Sequence, residues 1–517
     1  MTTWLYVIPA LTAVILFLLP RGNDSTLRFV ALAGSVVTLA AAGKVLLDYT
    51  VGAPGFQLQQ QAPWIPQLGV NYHVGVDGLS LILILLTTIV VPVAIWSSVT
   101  SIQHRLREFL ALLMVLEASV LGVFVALDVV LFYFFWEGML IPTYFLIGVW
   151  GGQRRIYAAL KYILYTMAGS LLMLVGVIGV YFFAHNAAGT PLRSFDMVVL
   201  TQSSVFGLNA QAWLFVAFGL AFAIKAAVFP LHTWLPDVYT ESAMPVTIVM
   251  SAVLSKMGIY GFLRFCLPLF PSASHRFAGV ISFLALVGIL YGALLALSQK
   301  DIKRLVACSS ISHLGFITLG VFAFTVQSIQ GATLQLLNHG IIIAALFLIV
   351  GQIYQRWGTT RLAELGGFAN GTPVLAAAFL FVTLAALGLP GLNGFVGEFL
   401  ILLGTFPNNP LYASLATIGV ILAAAYMLRL FQGVMHGPGP GVARPADGSG
   451  GPEEGQHHHS AAAAAAPARG VPDLRIGQEW PALAPLLVLI LWIGVAPNGW
   501  LTPTGTTAQQ IVAQSGR

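Results

Sequence analysis

Apolar residues run along this chain in blocks of about 20, the length of helix that crosses ~30 Å of hydrocarbon, with short polar connections between them. The blocks fall near 4–19, 28–47, 78–98, 108–127, 129–149, 156–183, 211–231, 243–265, 277–297, 303–324, 328–354, 373–403, 410–435 and 481–501. They predict an all-α polytopic membrane protein of about fourteen transmembrane helices, since runs this long and uniform do not suit barrel strands. The first block follows Met1-Thr2-Thr3 without a basic leader and is followed by Arg21, which predicts a retained span rather than a cleaved signal.

Two stretches depart from the pattern. Residues 48–77 are rich in Gln, Gly and Pro with no Lys or Arg, as suits an external loop, and end in Gly75-Val76-Asp77-Gly78-Leu79-Ser80, where Asp77 is placed to cap the third helix. Residues 436–480 hold Gly-Pro repeats, His457-His458-His459 and an alanine run, with too little apolar content to fold alone. They are expected to form a flexible cytoplasmic linker, and three adjacent histidines in such a segment do not fix a metal site.

Breaks inside the blocks suggest a repeat. The seventh carries Lys225 followed by Pro230, and the twelfth carries Gly388-Leu389-Pro390-Gly391 followed by Glu398. Interrupted helices at corresponding places in two five-span units point to inverted repeats, the second running opposite to the first. The expected organisation is 1–107 (spans one to three and the external loop), 108–265 (first five-helix half-channel), 277–435 (second half-channel), 436–480 (linker) and 481–517 (last span and tail). Spans seven and twelve are the discontinuous ones.

Composition strengthens this picture. The chain is 58% hydrophobic and 8% charged, against roughly 25% charged in a soluble domain. Its net charge of +5 would hint at nucleic acid in a soluble protein, but in a membrane protein Lys and Arg sort by side. Connections after odd-numbered spans hold fourteen of them and the opposite side five, which predicts both termini outside. The two cysteines, Cys266 and Cys308, lie in predicted spans and exclude a disulfide framework; they read as small apolar packing.

Within the blocks, Glu117, Glu137, Lys225, Lys256 and Glu398 sit where hydrocarbon is expected. Each costs at least ~2.5–3.5 kcal/mol at that depth and marks an ion or proton pathway when it faces a bundle interior. Glu137 lies in Phe134-Phe135-Trp136-Glu137-Gly138-Met139, an acid among aromatics, and Lys225 is the candidate cation to answer it. Lys256, His313 and His339 continue the series, histidine being able to relay a proton through either ring nitrogen. Lys161 is also intramembrane, Asp128 serves as a helix cap or a carrier, and Arg429 is a candidate counter-ion to Glu398. A static salt bridge is the alternative for the first pair, although buried pairs are weak evidence of stability. The chain has no phosphate-cradling loop, nucleophile elbow or paired-cysteine iron-sulfur motif, so the driving energy must come from an ion gradient or from partners.

At these residues the chain resembles the antiporter-like membrane subunits of respiratory complex I and their relatives in multi-subunit cation/proton antiporters. The matching stretches are Gly75 to Ser80, Phe134 to Met139, Lys225-Ala226-Ala227 with Pro230-Leu231-His232-Thr233-Trp234-Leu235-Pro236-Asp237, Leu254 to Gly261, and Gly388 to Glu398. Glu398 stands where L-type and N-type subunits and antiporters are expected to carry lysine. Asn338-His339-Gly340-Ile341 lacks lysine and is followed by Arg361-Leu362-Ala363-Glu364-Leu365-Gly366-Gly367, and these features resemble the M-type subunits of bacteria.

The resemblance implies fourteen spans, two inverted five-helix half-channels, and a proton path of Glu137, Lys225, Lys256, His339 and Glu398 linked by waters. In that path Glu137 modulates Lys225, the two lysines are central carriers and Glu398 faces the exit; His313, Glu117 and Lys161 are secondary. It also implies a translocase subunit of NADH:quinone oxidoreductase in the bacterial inner membrane, beside L-type and N-type neighbours and in contact with no nucleic acid. No cofactor is expected in this chain; NADH, flavin, iron-sulfur clusters and quinone belong to partner subunits. Two alternatives stay open: a subunit of a sodium/proton antiporter without a redox partner, and a structural scaffold.

Overall fold

The computed structural model describes residues 1–203, 205–437 and 472–516. Helices α1 (Trp4–Leu18) and α2 (Asp24–Asp48) lead into an antiparallel hairpin of β1 (Gln57–Ile65) and β2 (Val70–Val76), followed by α3 (Gly78–Ser101). Next come α4 (Leu106–Val125), α5 (Val129–Gly138), α6 (Leu140–Trp150), α7 (Arg155–Phe183), the short α8 (Met197–Ser203), α9 (Leu208–Lys225) and α10 (Trp234–Glu241). A single run then strings together α11 (Met244–Val249), α12 (Lys256–Gly261) and α13 (Leu267–Leu269) through two π-helical turns, Met250–Leu254 and Phe262–Cys266. The second block is α14 (Pro271–Ser298), α15 (Ile302–Val321), α16 (Val326–Trp357), α17 (Pro373–Ala386), α18 (Asn393–Thr405) and α19 (Pro410–Met435). Helices α20 (Trp480–Val495) and α21 (Asn498–Ser515) follow, bent 70° from each other.

Side-chain caps set several helix starts. Asp77 accepts from Ser80 N at 2.9 Å at the head of α3, as expected, and Asp128 accepts from Val130 N and Leu131 N to start α5. Asp301 does the same for α15, and Thr325 with Ser328 forms a reciprocal capping box for α16. The two expected breaks are present. The first lies between Lys225 and Trp234, where Ala227 takes a left-handed φ of 52°, a conformation costly without glycine. The second lies between Ala386 and Asn393, where Gly388 and Gly391 supply φ of 79° and 93° at no such cost.

Met244–Leu269 and Val326–Trp357 each hold an 18-residue stretch that is wholly buried, α3, α4 and α15 are nearly as enclosed, and α2, α7 and α19 turn much of their surface outward. Apolar all round, the enclosed helices form a core that the outer helices shield from lipid. The hairpin packs against one end of this bundle, with Leu127 N bonding His73 O and Asn71 N bonding Asp128. Helix α21 lies on the same face, its Thr507 hydroxyl receiving Gly78 N and its Ser515 carbonyl meeting His275. The opposite face carries the basic cluster of Arg21, Arg107, Arg154, Arg304 and Arg356. Buried near the hairpin face, Arg264 grips Asp77 bidentately at 2.8 and 2.6 Å and touches Ser80, tying the second π turn to the head of α3.

Of the fourteen spans expected, eleven are present among the described residues as helices long and apolar enough to cross a membrane, with a twelfth if α20 and α21 count together. The shortfall lies at α1, α17 and α18, apolar but short; the last two are the halves of the broken twelfth block. Residues 48–77, read as loop, contain the hairpin. The tail after the last span is a helix. The linker expectation for 436–480, His457–His459 included, falls mostly outside the described residues; of its described end, Asp473 caps α17 by accepting from Val374 N and Leu375 N.

Replacing Asp77 with Asn strands the Arg264 guanidinium in the interior, and breaking a buried pair in this way costs about 3–5 kcal/mol. Thermal unfolding of the detergent-solubilised protein is expected to fall markedly for Asp77→Asn and little for the exposed-pair variant Arg361→Gln. Burial raises the Asp128 carboxyl to about 6, so its folded form binds a proton more tightly than the unfolded chain. Its stabilising share is complete at acid pH and lost as pH rises through about 6. Asp128→Asn keeps the capping oxygen, and its stability relative to the wild type is expected to grow across that range; a gap that does not vary with pH contradicts this.

Candidate functional site

The first group of buried charges surrounds the break after α9. Lys225 is the last residue of α9, where unpaired carbonyls and the negative end of the helix dipole favour a cation. Its ammonium donates to the Tyr162 hydroxyl at 2.7 Å and stands 5.1 and 5.6 Å from the ring centres of Tyr162 and Trp136. Glu137, at the end of α5, is close enough to act on Lys225 through its charge. No direct ion pair joins the two among the described residues, and one Glu137 carboxyl oxygen has no protein partner. Lys225 is thus answered directly by Tyr162, and Glu137 acts on it through charge without an ion pair. Glu117 on α4 is buried with both oxygens unpartnered.

The second group is continuous. Lys256, at the start of α12, donates to Nδ1 of His339 at 2.9 Å and to the Ser251 carbonyl in the first π turn. Close approach of α12 to the end of α9 is possible because residue 258 is glycine: a Cβ there would meet Phe222 O at 2.3 Å. The His339 ring lies 5.2 Å from that of His313. His313 meets Glu398 at 2.8 Å through Nδ1 and the Tyr426 hydroxyl at 3.2 Å through Nε2. Gln335 donates to Glu398 at 3.1 Å, and Asn338 spans to the Asn393 carbonyl at 2.7 Å. Glu398 sits in the second turn of α18.

Neither Lys225 nor Lys256 touches a carboxylate in an ion pair among the described residues. A buried ammonium so placed is expensive, and its protonation responds to any change in nearby charge. Nε2 of His339 has no protein partner and is free to exchange a proton.

Four expected residues, Lys256, His339, His313 and Glu398, come together in one row, so His313 moves from a secondary place to its middle. Lys161 belongs elsewhere: it pairs with Asp237 at 2.7 Å beside Arg304, on the way to the basic face. Arg429 does not answer Glu398; its guanidinium is exposed and meets the Leu297 carbonyl near the end of α14. Sequence reasoning missed Tyr162, Gln335 and Tyr426, whose types are ordinary inside spans. A glutamine within one turn of Asn338-His339 was the one readable signal. Among the described residues no three His, Cys, Asp or Glu side chains converge to hold a metal ion.

A family model described as NADH:quinone oxidoreductase/Mrp antiporter, TM matches residues 126–423. The chain is 44% identical over 439 residues to NADH-quinone oxidoreductase subunit M of Rhodobacter capsulatus, covering 83% of this chain and 85% of that one. It is 38% identical to the subunit of the same name from Rickettsia prowazekii, covering 97% and 95%. Among solved structures it superposes on a chain of respiratory complex I from Thermus thermophilus with TM-score 0.85, 32% identity and full coverage of both chains. A chain of the Mrp complex from Dietzia sp. DQ12-45-1b gives TM-score 0.82 at 26% identity, over 99% of this chain and 97% of that one.

If the His313–Glu398 contact matters to the fold, either single apolar replacement strands a buried polar partner, at a cost of about 3–5 kcal/mol. Exchanging both together, His313→Leu with Glu398→Met, is expected to destabilise less than the singles combined. Additive losses in unfolding of the solubilised protein would show that the two side chains do not interact.

Proposed function

This chain belongs to the NADH:quinone oxidoreductase/Mrp antiporter transmembrane family, and from that premise we propose that its buried row conducts protons across the membrane arm of the enzyme. It is an M-type antiporter-like subunit of NADH:quinone oxidoreductase, a multi-pass membrane component of a translocase whose redox chemistry takes place in other subunits. The observation that carries the conduction reading is the continuous series Lys256, His339, His313 and Glu398, enclosed by the least exposed helices of the bundle.

In this reading residues 108–265 and 277–435 are two inverted half-channels, supported by the broken helices at corresponding places in each. Glu137 sets the charge state of Lys225 through its own charge. Lys225 and Lys256 are the central carriers, His339 and His313 relay, and Glu398 faces the exit. Glu117, unpaired in the first block, is an auxiliary acid, and Lys161 with Asp237 lies at the uptake side. Water is the partner that fits the unpaired atoms of Glu137, Glu117 and His339. Moving one charge against 100 mV takes about 2.3 kcal/mol, within what rearranging one buried ion pair supplies. The basic face is the cytoplasmic one by the positive-inside rule, which puts both termini outside the bacterial plasma membrane. L-type and N-type subunits are the expected neighbours, and their chains close the row at either end.

The likeness to an Mrp chain supports a second reading, a cation/proton antiporter subunit. The acid Glu398 in the broken twelfth block weighs against it. Glu137→Gln and Lys225→Ala are expected to leave assembly intact while lowering NADH-driven quinone reduction and proton pumping in membranes. Wild-type turnover and pumping in both variants would defeat the conduction reading.

A further inference from the structure

The two groups of charges are not in contact: Lys225 ends on Tyr162, and the row begins again at Lys256. What lies between them is a set of hydroxyl and carbonyl groups organised by the π turn Met250–Leu254. A π turn shifts the backbone bonding by one residue, here placing Ser255 N on the Met250 carbonyl at 3.3 Å. Two consecutive carbonyls of the turn also accept from side chains. The Met250 carbonyl accepts from the Tyr239 hydroxyl at 3.1 Å, and the Ser251 carbonyl accepts from Ser255 Oγ at 3.2 Å and from the Lys256 ammonium. Ser255 Oγ is also 3.4 Å from Lys256 Nζ, and its side chain lies beside the Tyr239 hydroxyl. Tyr239 is fully buried on α10, the far half of the broken span that begins with Lys225. Its ring packs 6.3 Å from Trp234, whose other side lies 5.3 Å from Tyr162. Trp234 is held by its indole N–H on the Ile224 carbonyl at 2.9 Å, so the spacing of the two tyrosines is fixed by the broken span itself.

We propose that Tyr239 and Ser255, held on the π turn, are the link by which a proton passes between the first half-channel and Lys256. The inference rests on the conduction reading above and adds the residues that join its two halves. The ammonium of Lys225 gives a proton to the Tyr162 oxygen, whose own proton leaves to a water molecule. That water delivers a proton to the Tyr239 oxygen; the Tyr239 O–H proton moves to Ser255 Oγ, and the Ser255 proton to the uncharged amine of Lys256. Every oxygen gains one proton and loses one, so the net change is one N–H bond broken at Lys225 and one formed at Lys256. The Tyr239 hydroxyl is held by the Met250 carbonyl, and the link is open only when it turns to the neighbouring serine. The π turn is thus the element whose register decides whether the halves communicate.

The test uses the intact enzyme in native membranes, comparing Tyr239→Phe, Ser255→Ala, Ser255→Thr and Lys225→Ala for assembly, NADH-driven pumping and its solvent deuterium isotope effect. Tyr239→Phe and Ser255→Ala are expected to assemble and to pump about tenfold more slowly, less than the full loss of a positioned proton carrier because water replaces part of the path. Their isotope effect is expected to rise, and Ser255→Thr, which keeps the hydroxyl, to restore pumping. Wild-type pumping in Tyr239→Phe and Ser255→Ala beside an impaired Lys225→Ala overturns this link and leaves the conduction reading standing. Ser255→Thr as impaired as Ser255→Ala also overturns it, since packing rather than the hydroxyl would then be at work. Wild-type pumping in all four, Lys225→Ala included, overturns both.

Discussion

A charge at membrane depth finds no water and no counter-ion outside the protein, so the bundle itself must answer it or leave its protonation open to change. The arrangement of this molecule follows from that constraint. The helices that carry Lys256, His313 and His339 are those with least contact with the surroundings, and exposed helices such as α2, α7 and α19 form the shield. At the rims, where water is near, charges are instead closed into ion pairs such as Arg21 with Glu108 and Lys161 with Asp237, worth little individually. In the interior the two lysines are held by hydroxyl, carbonyl and imidazole groups and not by carboxylates. A fully paired interior would be more static, and a static interior does not transport.

Helix breaks supply what side chains do not. Lys225 closes a half-helix and meets its carbonyl end, where the backbone dipole favours a cation. At Met250–Leu254 the carbonyls of a π turn receive the Tyr239 hydroxyl and the Lys256 ammonium. Irregular backbone, uncommon inside helices in a membrane, stands at the two breaks and at this π turn, each beside a buried charge.

Much of this was legible in the residues. Long apolar blocks, the Gly388-Leu389-Pro390-Gly391 interruption, the caps at Asp77 and Asp128 and the intramembrane Lys256, His339 and Glu398 all announce themselves, because polar atoms are conspicuous against an apolar background. What was not legible depends on distance between segments or on bonding register. Gln57–Ile65 has no apolar alternation, so the hairpin left no mark in the pattern. Arg429 was matched to Glu398 by sign although its side chain reaches the Leu297 carbonyl instead. A π turn requires one shifted hydrogen bond and no special residue, which hides it within an ordinary apolar run.

The central claim is that these buried groups change protonation when the enzyme turns over. Infrared difference spectra of the membrane-embedded complex, recorded on adding NADH and in water against heavy water, read carboxyl protonation directly. The account predicts a deuterium-sensitive carboxyl band that disappears in Glu398→Gln and changes in Glu137→Gln. A carboxyl region identical in the wild type and both variants during turnover would contradict it, leaving the row as a structural feature of the arm.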